Sequence, residues 1–366
     1  MLDKLVVYFA RDAFGQGVRP PLVSTKIVLL LDPEKVHIMS ISQYIQLGST
    51  ELKVPPICLG TLTFGSDSDF GDSKAIIDTC LNNNITFFDT ADSYNAGTSE
   101  EFLGKILKGK RHQVTIASKV GMVVQNGSYT VNLSKKHILK SIDESLHRLQ
   151  TDYIDLYQAH WPDPATPQEE TIDAFDSLHK AGKIRYTGCS NYLGWQCIQA
   201  QWISTQNNLV PFSCIQPRYN ILDRHAEDEI IPAAIDQSLG IIPYNPIAGG
   251  LLSDKYAFNT RPSAGTRFGD QEQYRHRYWY PTNFKAIAEI KEIATKAGFT
   301  TEALSLSWIM NQRGITAPIV GVRNTAQLHA ILEILKLPIP HTVTSSLDNI
   351  RGIAYDRFSP WRKHNH

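Results

Sequence analysis

YIDLYQAHWPDPATPQEETIDAFDSLHKAGKIRYTGCSNY, residues 153–192, decides the fold. Tyr153 to Gln158 is a short, mostly apolar run and reads as a strand. Gln168 to Ala181 reads as a helix and stops at Gly182, a residue free to take the left-handed backbone that ends helices. Tyr186 to Cys189 is again a strand. Strand, helix and strand within about forty residues make one βαβ unit, and such units build parallel sheets.

The alternation extends both ways. Upstream, Ile57 to Gly60 and Ile85 to Phe88 are short apolar strands, with a helix over Ser73 to Asn83 between them. Ser99 to Leu107 is helical and Val114 to Ser118 is a strand. Ser134 to Leu149 is the clearest helix: Ile138, Ile142, Leu146 and Leu149 fall on one face, and Ser134 is placed to cap it. Downstream, a helix runs through Trp202, Cys214 to Gln216 is a strand, and a helix lies around Ala226 to Gln237. Gly240 to Tyr244 is a strand. Ser253 to Pro281 is a polar, aromatic-rich loop. Phe284 to Ala297 and Thr301 to Gln312 are helices, Pro318 to Val320 is the last strand, and Thr325 to Leu335 follows it. About eight strands, most followed by a helix, predict an α/β fold, a closed (β/α)8 TIM barrel with C-terminal helices. An open doubly wound sheet would carry a GxGxxG turn after its first strand; here Gly60-Thr61-Leu62-Thr63-Phe64-Gly65 stands there. Gln43 to Leu59, with a turn at Gly48-Ser49-Thr50, reads as an N-terminal β-hairpin.

A chain of 366 residues has room for one large barrel. Residues 1–38 mix charges, glycine and proline around one apolar run, Ile27 to Leu31, and are read as an extension outside the fold; the barrel domain is 39–366. The formal net charge is +0, which argues against a nucleic-acid partner and against attraction to an anionic membrane. No apolar run approaches the ~20 residues that cross a bilayer. Five cysteines without a CxxC pair indicate neither zinc nor a disulfide framework. These readings place the protein in the cytoplasm, with no metal; the oligomeric state is not written in the sequence.

Barrel chemistry sits where strands end. Asp89, Lys119, His160, Ser190 with Asn191, and Gln216 all stand at such ends. Each has an ordinary structural use as a cap, a turn or a solvated strand end. Their coincidence at one end of one barrel points to a site. Tyr94 lies five residues past Asp89. A phenol with pKa near 10 is a weak acid at neutral pH, and a close ammonium such as Lys119 is expected to lower that value. Asp89 would hold Lys119 charged, and His160 would orient a carbonyl oxygen. No side chain delivers hydride, so a nicotinamide must supply it.

The ordered motifs LGTLTFG (59–65), FFDTADSYNAGTSEEFLG (87–104), ASKVG (117–121), DLYQAHWPD (155–163), GKIRYTGCSNY (182–192) and PYNPIAGGLLSDKY (243–256) resemble the aldo-keto reductase superfamily. The resemblance spans nearly all of residues 43–335. It implies a catalytic set of Asp89, Tyr94, Lys119 and His160, reducing aldehydes or ketones to alcohols with NADPH/NADP, NAD remaining open. It also implies nicotinamide contacts from Ser190, Asn191, Gln216 and Tyr244, and a pyrophosphate cover from Asn245, Pro246, Ile247, Gly249, Leu251 and Lys255. Asn245 stands where the family usually has serine. Gly321, Arg323 and Gln327 match the adenosine end, with Arg323 as a 2′-phosphate ligand, but Ala330 and Ile331 replace the usual Glu-Asn pair. Phe64 and Trp161 are expected to wall the pocket of a small carbonyl substrate. WPDPATPQEET (161–171) also resembles potassium-channel beta subunits, which implies a cofactor-binding regulatory subunit as the alternative.

Overall fold

The computed structural model describes residues 43–125 and 128–354; the 1–38 extension lies outside them. Two short strands, β1 (Ile45–Gln46) and β2 (Lys53–Val54), pair antiparallel as a hairpin. The barrel strands follow: β3 (Cys58–Gly60), β4 (Phe87–Asp89), β5 (Thr115–Val120), then, after a second hairpin of β6 (Met122–Gln125) and β7 (Ser128–Val131), β8 (Ile154–Ala159), β9 (Ile184–Ser190), β10 (Phe212–Gln216), β11 (Gly240–Ile241) and β12 (Ile319–Gly321). All eight pair in parallel, neighbour to neighbour, from β11 round to β12. The last gap closes through backbone amides: Thr316 N donates to Ile241 O and Ile319 N to Pro243 O, each at 2.8 Å, and Ala317 N donates to Ile241 O at 3.4 Å. The expected closed barrel is what the chain forms.

Helices cover it. α1 (Phe70–Asn82), α2 (Thr98–Ile106), α3 (Lys135–Leu149), α4 (Gln168–Lys180) and α5 (Gly194–Asn207) each follow a strand or its loop. In α3, Ile138, Ile142 and Leu149 are buried on one face, and fully burying such a side chain is worth roughly 1.5–3 kcal/mol. Ser134 caps it by accepting from His137 N, and Gln150 ends it in the left-handed region. α6 (Ile230–Asp236) is shorter than the pattern suggested. α7 (Arg267–Asp270) and α8 (Glu272–Tyr278) lie inside the stretch read as loop; α9 (Pro281–Ala297), α10 (Thr301–Met310), α11 (Thr325–Ile334) and α12 (His341–Ser345) complete the described chain. Among the described residues no helix is long and apolar enough to cross a membrane. The five cysteines are buried and unbridged.

The two-residue period of a strand arranges the interior in layers. Phe87, Ala117, Leu156 and Cys214 join Leu47, Val54 and Cys58 in one buried apolar cluster. Two residues further along the same strands stand Asp89, Lys119, Gln158 and Gln216, all buried. So one layer of apolar packing supports one layer of polar groups.

The N-terminal hairpin plugs the opposite end. Its second arm is Lys53–Val54, not the Ile57–Gly60 run; Pro55 and Pro56 lack the amide hydrogens to continue pairing. Gly48 turns it with φ +56°, and a Cβ there would come within 2.5 Å of Gly240 N and 2.6 Å of Ser238 O. Both the backbone region and the close approach require glycine. Gly48→Ala is therefore expected to lower unfolding stability by about 1–3 kcal/mol, read from urea denaturation; an unchanged midpoint would show that the hairpin does not seal the floor.

Candidate active site

Lys119 is fully buried near the end of β5. An ammonium has three hydrogens to donate, and all three are placed: to Asp89 Oδ2 at 2.6 Å, Thr90 O at 2.8 Å and the Tyr94 hydroxyl at 3.1 Å. Burial by itself would lower its pKa, but the Asp89 carboxylate, with a contribution from Tyr94, outweighs burial and holds it above the ordinary lysine value. A lysine whose folded-state pKa is raised stabilises the fold below its unfolded pKa and loses that contribution only as pH rises through the folded one. The pair is thus intact throughout neutral pH. Asp89 Oδ1 in turn accepts from Gln216 Nε2 at 2.8 Å, tying β10 to β4.

Tyr94 opens a tight turn in which Asn95 and Ala96 both have positive φ. Asn95 Nδ2 holds that turn by donating to Leu62 O and Phe64 O, each at 2.8 Å. The Tyr94 phenol pKa is raised: burial dominates, and the Lys119 ammonium only partly opposes it. This corrects the expectation that Lys119 would lower it. The site therefore offers a protonated phenol, bonded to a cation able to stabilise the anion left when the proton goes.

His160 follows β8, its ring edge-on to Tyr94 with centroids 5.8 Å apart. Burial, then the nearby Lys119, holds its pKa well below the usual histidine value. The ring is neutral at pH 7, and its Nδ1 has no hydrogen-bond partner among the described residues. Two residues before Tyr94, burial and then Glu100 push the Asp92 carboxyl up to about 7.

Asp89, Tyr94 and His160 line a cavity of about 210 Å³, with Lys119 buried behind them. Its wall includes Ser190, Asn191, Gln216, Tyr244, Asn245 and Gly321, so six of the predicted cofactor contacts meet the catalytic candidates in one place. Ser190 Oγ donates to Gln216 O at 2.9 Å, Asn191 Nδ2 to His160 O at 2.9 Å and the Tyr244 hydroxyl to Asn191 Oδ1 at 2.8 Å. Asn245 Nδ2 is buried with no partner among the described residues. That orphan donor, and side-chain-free walls at Gly60 and Gly321, fit a polar ligand lying along the strand ends. Pro246, Ile247 and Gly249 belong to the following turn; Gly249 has φ +69°, and a Cβ on it would strike the Tyr274 ring at 2.6 Å.

Several expectations change. Phe64 is fully buried in the core rather than on the pocket wall; Leu62 takes that place, beside Trp161. Leu251 is buried in the core, and Lys255 is exposed away from the cavity. Arg323 Nε pairs with Asp67 at 3.0 Å and its Nη1 donates to Gly265 O at 2.7 Å. Gln327 Oε1 accepts from Arg323 N at 2.9 Å, and the Asn324 side chain caps α11 by accepting from Gln327 N, so that amide is not free for a phosphate.

The residues not foreseen come from the supposed loop. Arg267, Tyr274 and Arg277 line the cavity. A second, wider cavity of about 590 Å³ adjoins it and shares Leu62, Tyr94, His160, Trp161 and Arg277. The β6–β7 hairpin adds Met122 and Tyr129 to its wall. The Asn126-Gly127 pair between apolar runs was the available signal for that hairpin; the arginines left no periodic trace.

The profile of the Aldo/keto reductase family matches residues 56–351. "Uncharacterized oxidoreductase YrpG" of Bacillus subtilis (strain 168) is 34% identical over 321 residues, covering 84% of this chain and 95% of that protein. "Aldo-keto reductase YhdN" of the same organism is 34% identical over 307 residues, covering 80% and 88%. A "Probable voltage-gated potassium channel subunit beta" of Oryza sativa subsp. japonica is 30% identical over 323 residues, covering 86% and 97%. With a family match over most of the barrel, and with the motifs that define the site lying inside it, the chain belongs to the aldo/keto reductase family of oxidoreductases.

Proposed function

We propose that the protein reduces aldehydes or ketones to alcohols with a nicotinamide cofactor, NADPH for preference, and with Tyr94 as the proton donor. The observation that carries this reading is the protonated Tyr94 phenol bonded to buried Lys119 beside a neutral His160. Tyr94 and His160 hold the carbonyl oxygen from two sides, which orients it and withdraws charge from the carbon. Bound nicotinamide supplies the hydride that this carbon accepts. Tyr94 gives its proton to the oxygen, and Lys119 stabilises the phenolate until solvent restores the proton. Asp89 keeps Lys119 charged and in place. Ser190, Asn191, Gln216 and Tyr244 would hold the nicotinamide end, and Asn245 with the turn after it the pyrophosphate. Leu62, Trp161 and Met122 exclude water from the reacting oxygen, and favour aromatic or medium-chain aldehydes over glycolaldehyde-sized ones. A cofactor-binding regulatory role, as the name of the rice relative suggests, is the second reading; it predicts cofactor binding without turnover.

NADPH oxidation at 340 nm with a panel of aldehydes tests the assignment. Tyr94→Phe is expected to lose roughly 10²–10⁴-fold in kcat; equal rates in both proteins would sink it. Since Tyr94 titrates above its ordinary value and His160 well below its own, kcat for reduction is expected to be flat from about pH 6.5 to pH 9. A limb near pH 7 would implicate Asp92 instead.

Cofactor choice is a separate test. A 2′-phosphate must displace the Asp67 carboxylate from Arg323, and a partly exposed ion pair of this kind is worth only about 0–1 kcal/mol. On this reading Arg323→Ala weakens NADPH by about tenfold and leaves NADH unmoved, while Asp67→Asn tightens NADPH; titration of both cofactors measures it. If NADPH and NADH bind alike in the unaltered protein, or weaken alike in Arg323→Ala, Arg323 is not a phosphate ligand.

A further inference from the structure

Arg277 is the cation at the junction of the two cavities. It lines both, as do Tyr94 and His160, whereas Arg267 and Tyr274 line only the cavity that holds Ser190, Asn245 and Gly321. Arg277 Nε is buried and has no hydrogen-bond partner among the described residues. Its guanidinium lies over the Tyr274 ring, 5.4 Å from the centroid. A cation–ring contact consumes none of the N–H donors, and it is through those donors that a guanidinium grips carboxylates in pairs.

The acids that could neutralise it are engaged. In the first cavity Asp89 accepts from Lys119 and Gln216. Asp163 is the one acid lining the second cavity among the described residues. Its Oδ2 accepts from Leu133 N at 2.8 Å and Thr166 Oγ1 at 2.6 Å, and its Oδ1 from Ala165 N at 2.9 Å. Among the described residues Arg277 thus faces the cavities as a cation with no counter-ion of its own. One helical turn earlier on α8, Gln273 also lines the second cavity, adding an amide to the same helix face.

We propose that Arg277 anchors an anionic group, a carboxylate above all, on the carbonyl substrate, so that the preferred substrates are aldehydes or ketones carrying an acid. The claim rests on the carbonyl-reductase reading of the same site. The anion belongs to the substrate rather than to cofactor phosphate because the second cavity, where Arg277 meets Trp161, Met122 and Gln273, shares none of the predicted cofactor contacts. A molecule there sets its carbonyl between Tyr94 and His160, its apolar body against Leu62 and Trp161, and its acid on Arg277.

The test compares 4-carboxybenzaldehyde with its methyl ester in the full-length protein. The unaltered protein is expected to prefer the acid, and Arg277→Met to lower the acid-to-ester ratio of kcat/KM by about ten- to a hundred-fold. Arg277→Lys keeps the charge and is expected to lose less of that ratio; equal loss in the two variants would overturn the role of charge. No acid preference in the unaltered protein would also overturn the proposal. So would equal losses for acid and ester in Arg277→Met together with weaker NADPH binding, since that pattern marks a cofactor-phosphate ligand. Calorimetric titration of 4-carboxybenzyl alcohol against benzyl alcohol, with NADPH present, needs no turnover. If reduction is absent yet the acid binds tighter and Arg277→Met removes the difference, the reductase reading fails and the anion site stands; if the two alcohols bind alike, the anion site fails.

Discussion

A lysine ammonium cannot sit inside a barrel unless its charge and all its hydrogens are accommodated, and Lys119 organises the polar end of this one. Leaving such a charge unpaired costs several kcal/mol. The partners it recruits come from separate places: Asp89 from the neighbouring strand, Thr90 O from the residue after it, Tyr94 from the turn beyond. Pairing of Asp89 with Ala117 across β4 and β5 sets the register, which leaves Lys119 two residues further along the same inward face. A slip of one residue would turn either side chain out of the barrel. The geometry that sets the Tyr94 phenol against a cation is the geometry that makes the buried cation tolerable.

Electrostatics then divide the site by role. Burial alone would favour the neutral form of each group. Lys119 escapes because a carboxylate touches it; Tyr94 keeps its proton because burial outweighs the ammonium; His160 stays neutral because burial and the ammonium act in the same direction. Burial around one fixed positive charge therefore leaves a protonated phenol and a neutral ring side by side, without either needing to titrate near neutrality.

Much of this was legible in the chain, for a physical reason. Strands have a strict two-residue period, so Asp89, Lys119 and Gln216 announce both their face and their end of the barrel. The βαβ rhythm around residues 153–192 specified the parallel sheet. Loops have no such period: Phe64 and Leu62 lie two apart in an irregular segment, and counting could not tell which one faces the cavity. Arg267 and Arg277 sit on α7 and α8, too short to show a helical stripe among tyrosines and tryptophan. The Asp67–Arg323 pair joins residues about 256 apart, a contact set by how the barrel closes and by no local pattern. The sign of the Tyr94 shift depended on burial depth, which the order of residues does not carry.

The barrel seam has a kinetic meaning as well. β12 pairs with β3 across about 260 residues of chain, and on its other side it meets the β11 segment through the amides of Thr316 and Ile319. The equilibrium cost of closing so long a loop grows only logarithmically with its length, but contacts this remote in sequence form late. By that argument the β3–β12 seam is the last part of the wall to close during folding. Gly60 stands on one side of it and Gly321 on the other, in the wall of one cavity. A ligand touching both sides recognises the closed cylinder and not the open one, and by mass action it becomes the clasp of the cylinder.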